Sequence, residues 1–219
     1  MGFPMGKHGG FREGIRAGKG FVMALMWLTA WPVFADELNV DWISLRAAYT
    51  HYTKDPNDEN AEKVRAFLPY KPVPAGVSAM RRAQRETGEF IRKHLLPLES
   101  QVFRGQRSAI RLAYHLFTIS ETGKFTDSLN VLLGKLITRN PRLFLQELKA
   151  NHRFAPSMTD LLMSYGADYK GHERFQLGEF RKRVACLRKV QDWELQDMRD
   201  ECVEFMEQNP NPPGDFLNP

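Results

Sequence analysis

The chain is short of the residues that usually mark chemistry. It has only two cysteines, Cys186 and Cys202, in 219 residues. Two thiols are too few for a disulfide-built scaffold, and alone they do not complete a zinc site. The six histidines are scattered, and no HExxH pair puts two of them on one helix face. There is no G-x-S-x-G elbow, no Walker loop, no G-x-G-x-x-G turn and no calcium-loop spacing of acids. No metal and no cofactor is therefore expected. Strand-like alternation of apolar and polar residues is missing over any useful length, which excludes a sheet-based fold. The longest apolar run, from Phe21 to Ala35, has 15 residues, and a membrane-spanning helix needs about 20.

That run is informative for another reason. Lys7, Arg12, Arg16 and Lys19 precede it against a single acid, Glu13. It ends in Val33-Phe34-Ala35, an A-x-A-like site, and Asp36 and Glu37 then begin a polar stretch. Basic region, apolar region and small-residue site follow the order of a secretory signal peptide. Cleavage after Ala35 is expected, with export to a bacterial periplasm or beyond and no stable membrane span after processing. The segment carries four bases and one acid, so it holds +3 of the formal +5 and leaves 27 bases against 25 acids in the remainder. A chain this close to neutral lacks the concentrated basic face that nucleic acid requires.

What is present in quantity is helical periodicity. Asp41 can cap a helix with Trp42, Leu45, Tyr49 and Tyr52 on one face. A short helix with Val64, Phe67 and Leu68 follows, completing an N-terminal helical pair over 36–70. The stretch PYKPVP, Pro69 to Pro74, is stiff and extended, and it reads as a connector over 71–77 between that pair and a main helical domain over 78–208. A long pattern from Ser78 is split or kinked by Pro97. Ser108 to Ser120 is apolar on most sides, as in a central helix. Leu129, Leu132, Leu133, Leu136 and Ile137 then make a regular amphipathic stripe. Gly134 inside that stripe costs about 1 kcal/mol against alanine, which close approach by a neighbouring helix would offset. Asn140-Pro141 restarts the chain as an N-cap and first-turn pair. Further helices are expected near Thr159–Tyr165, Phe175–Val190 and from Asp192 to Gln208, the last with Trp193, Met198, Val203 and Met206 as core. The tail over 209–219, rich in proline, cannot hold a helix.

The fold class is thus all-α: an antiparallel multi-helix bundle or a short right-handed α-solenoid. The segment Arg107 to Lys149 has the length and the proline-started second helix of a repeat unit. On those features it resembles HEAT and armadillo-type repeats. The resemblance covers less than half the chain and rests on no diagnostic motif. It implies a scaffold or protein-binding surface without catalytic residues.

Three sets of residues carry candidate functions. Arg81, Arg82 and Arg85 share part of one helix, either as an ordinary solvated face or as a patch for an acidic partner. Export permits a disulfide between Cys186 and Cys202: their offset from an expected turn near Gln191-Asp192 counts against it, and a longer or tilted turn would bring them level, so the bond stays open at this point. Glu121 stands before Thr122-Gly123 where the central helix ends. There it resembles the general-acid glutamate of lysozyme-like transglycosylases, a cell-wall glycosidase chemistry. The Gly-Leu-Met-Gln stretch of that family is absent, and a plain helix end accounts for the same residues. The leading expectation is an exported, non-enzymatic helical module that binds another protein, such as a toxin-neutralising immunity protein or an envelope-assembly factor.

Overall fold

Each helix start is written in local side-chain chemistry. The Asp41 carboxylate accepts from the backbone N–H of Ser44 at 3.0 Å and opens α1, Trp42–Lys54. Asn57 does the same for α2, Asp58–Ala66, through the N–H of Asn60 at 2.9 Å. Asn140 accepts from Leu143 at 3.1 Å, with Pro141 in the first turn. These bonds satisfy amide donors that a helix leaves orphaned. The computed structural model describes residues 40–72, 78–120, 123–166, 169 and 171–209. The expected signal segment with its cleavage after Ala35, most of the connector (73–77) and the tail from residue 210 lie outside them.

After α2 come α3, Ser78–Lys93, and α4, Leu96–Phe103. The break between them falls just before Pro97, which stands in the first turn of α4, where its missing N–H costs nothing. Helix α5, Arg107–His115, continues into a 3-10 turn at Leu116–Thr118. Then follow α6, Lys124–Arg139, α7, Pro141–Asn151, a 3-10 turn at His152–Phe154 and α8, Met158–Met163. The last two helices are α9, Glu173–Arg188, and α10, Gln196–Gln208. The architecture is all-α, and no strand occurs among the described residues.

Helix α6 lies at the centre, packed against α3, α4, α5, α7, α8 and α9. Leu129, Leu133 and Ile137 are fully buried there, as their spacing requires. Helix α5 is buried nearly all round through Ile110, Leu112, Ala113 and Tyr114. At Gly134 neighbouring elements come close to α6: a Cβ there would stand 2.8 Å from Arg183 Nη1 and 2.9 Å from the Leu161 carbonyl oxygen.

Two expectations need correction, and a question left open by the sequence, the disulfide, is answered. The N-terminal pair is not a separate body, since α1 packs on α3 and α2 on α5 in one compact unit. Tyr49 donates to the His94 carbonyl at 3.1 Å, and Ser108 donates to Asp58. Trp193 is not core: it is 80% exposed, because it lies in a 3-10 turn before α10 begins, outside the helical period. Cys186 and Cys202 are both free. Cys202 points into the core and is fully buried, while Cys186 lies three residues from Lys189, the C-cap of α9, and is half-buried. Burial pushes the Cys202 thiol up to about 12, which makes it inert rather than reactive.

Candidate functional site

The arginines singled out by the sequence lie in the first half of α3, and all are exposed. One of them is paired along the helix. Arg82 Nε donates to Glu86 at 2.8 Å, and Glu86 is also met by Arg46 at 3.5 Å. The hydrogen bond from Arg82 holds the Glu86 carboxyl below its ordinary range. Glu121 lies outside the described residues. Gly123 follows it with φ +136° and stands as the N-cap of α6, not as the end of the central helix. Among the described residues no cluster of three metal-ligating side chains occurs, and no helix is long and apolar enough to cross a membrane.

A more open arrangement is found on α9. Arg174, Arg181 and Arg188 recur at seven-residue spacing, which places them along one side of a helix with a slow drift of about 20° per repeat. All three are exposed. Beside them, Leu177 is 43% exposed. Gly178 and Ala185, also seven apart, are exposed and small. Phe180, Val184 and Ala185 form the apolar side of a groove of about 450 Å³ that Arg181, Arg188 and Glu207 complete. It continues past the Arg188–Glu207 bridge, 2.5 Å long, into a second open depression along α10 lined by Gln191, Arg199, Asp200, Val203 and Glu204. Arg174 and Arg181 make no ion pair among the described residues. The outer side of α9 is therefore cationic at its rim and apolar at its floor.

Gly178 supports reading this face as functional. A Cβ placed there meets nothing within 4 Å, so no internal packing calls for glycine. Glycine in a helix interior costs about 1 kcal/mol against alanine. Gly178→Ala is thus expected to stabilise the chain by about 1 kcal/mol and to raise Tm by about 2–4 °C in a thermal scan. A loss of stability would show that the residue has a role within the fold.

Sequence reasoning missed this face. Its signal, three arginines at a strict interval of seven, is present in the sequence but was masked by the even charge balance of the whole. No family model, no curated protein and no solved structure matches the chain.

Proposed function

We propose that the protein is an exported, non-catalytic helical module that binds another protein through the outer face of α9, and that the partner presents an acidic amphipathic helix. The observation that carries the reading is the repeat of Arg174, Arg181 and Arg188 beside the apolar floor of Phe180 and Val184. A partner helix with carboxylates at the same interval of seven would pair with the rim, while its apolar stripe covers Leu177, Val184 and Phe180. Gly178 and Ala185 let its backbone come close. Rim charges of this kind set orientation and encounter rate more than affinity. The HEAT-like plan of α5, α6 and α7 supplies the rigid support in this reading, and the basic, apolar and small-residue order before Asp36 supports export.

Site-specific photo-crosslinking in producing cells tests it. A photoreactive residue at Ala185 is expected to capture a segment that mass spectrometry identifies as an acidic amphipathic helix. Arg174→Glu together with Arg181→Glu should reduce that crosslink by about tenfold. Efficient capture from position Arg81 and none from Ala185 would move the binding face to α3 and overturn the assignment.

A further inference from the structure

A second set of groups meets where α2, the end of α5 and the turn after α7 come together. Arg65 Nη2 lies 3.3 Å from His115 Nε2. The His115 ring packs on Phe154 with centroids 4.1 Å apart. The Arg153 guanidinium stands 4.8 Å from the ring centroids of both Phe154 and Tyr70. Tyr70 meets Phe154 edge-on at 6.2 Å, and it is 64% exposed. Three elements distant in sequence thus bring two guanidinium groups and an imidazole to one corner.

The charges there do not balance. Glu62 is the one carboxylate in the set, and Arg65 takes both its oxygens at 2.7 Å. Arg153 has only aromatic faces for partners among the described residues. Arg65 Nε is buried without an acceptor. His115 is held neutral: burial first, then the charges of Arg65 and Arg153, push it down to about 4. A neutral ring whose Nε2 accepts from Arg65 carries its proton on Nδ1, and none of the described residues accepts that proton. The corner therefore keeps a standing positive potential and an unused donor. Fold stability gains nothing from like charges beside an imidazole.

We propose that Arg65, His115 and Arg153 form a binding site for a tetrahedral oxyanion of the phosphate or sulfate class. Guanidinium forks match such oxygens in geometry as well as charge. Tyr70 and Phe154, whose rings stand edge-to-face, confine the Arg153 guanidinium by cation–π attraction from two sides, so less freedom is lost when it meets an anion. A bound anion reverses the potential at His115. The ring then takes up a second proton and becomes a donor on both nitrogens. Binding and protonation reinforce each other, so affinity rises as pH falls through the bound ring's titration and levels off below about 4, where the free ring is itself protonated. The charged groups that act on the ring are Arg65 from α2 and Arg153 from the turn after α7, and Glu62 enters the corner as the partner of Arg65.

The test follows the His115 ring by NMR in the full chain with labelled histidine. In sodium chloride the ring should titrate near 4. Sodium sulfate at matched ionic strength is expected to raise that value saturably by about one unit or more, and acetate to move it far less. Inorganic phosphate and glycerol phosphate, run alongside, separate a free ion from an ester as the source by which saturates first. Arg153→Gln, an exposed substitution, should abolish the saturable response while leaving the helical circular dichroism unchanged. In chloride it should itself raise the titration, since a like charge is gone. A non-saturating change equal in sulfate, acetate and chloride, or a full sulfate response in Arg153→Gln, would overturn the site.

Discussion

Gly134→Val is expected to destabilise the protein by about 3 kcal/mol and to lower Tm by about 6–12 °C. The space it would fill is taken by the Arg183 guanidinium, which has nowhere else to go, and by the Leu161 carbonyl oxygen. Arg183 is 1% exposed, and it donates from Nη1 to the Leu162 carbonyl at 2.6 Å and from Nη2 to the Ser164 carbonyl at 2.9 Å. Those two carbonyls lie at the C-terminal end of α8, where a helix leaves acceptors unmet and favours a cation. The guanidinium also stands 4.5 Å from the Tyr165 ring centroid, and Glu179 lies 3.7 Å from its Nε. One side chain on α9 thereby ties α8 down across the gap that Gly134 leaves in α6. Arg183→Met removes both bonds and should cost about 3 kcal/mol as well. The informative measurement is the double variant in urea denaturation. If glycine is there to admit the guanidinium, valine fits better once the arginine is gone. The two losses should then fall short of their sum by more than about 1 kcal/mol. Strict additivity would show that Gly134 and Arg183 serve separate purposes.

This junction shows which parts of the architecture are legible in the residues and which are not. The stripe Leu129, Leu132, Leu133, Leu136, Ile137 states its own burial, and Gly134 within it announces a close neighbour. Asn140-Pro141 and Asp41 mark helix starts, because capping is a contact between residues three apart. Arg183 gives no such notice. A lone arginine on a helix reads as solvent-facing, and its partners are 21 and 19 residues away in the chain. Trp193 errs in the opposite direction, since the helical period does not extend into the 3-10 turn that carries it. PYKPVP states that the connector is stiff but not that Tyr49 beyond it reaches the His94 carbonyl. The oxyanion corner is illegible for the same reason: Arg65, His115 and Arg153 are each ordinary surface residues until three elements bring them together. The arginine row on α9 differs, because an interval of seven on one helix is local information.

A buried carboxylate sets the last expectation. Glu147 on α7 is 2% exposed, and two arginines from α5 reach it, Arg111 Nε at 3.1 Å and Arg107 Nε at 3.7 Å. Asn151 Nδ2 adds a contact at 3.3 Å. Each arginine is about half exposed, so either one alone would count as a weak surface partner. Together they are what permits an ionised group at the seam between α5 and α7. Arg107→Met or Arg111→Met alone should cost no more than about 1 kcal/mol, because the remaining guanidinium still faces the carboxylate. The double variant should cost about 3–5 kcal/mol at pH 7, the penalty of a buried charge left without a counter-ion. Methionine keeps the aliphatic stems, so packing changes little. Adding Glu147→Gln to the double variant should recover most of the lost stability at pH 7, since a neutral amide of the same shape has no charge to strand. A double variant that loses no more than the two single ones combined would show that the two guanidinium groups do not share the role of counter-ion to Glu147.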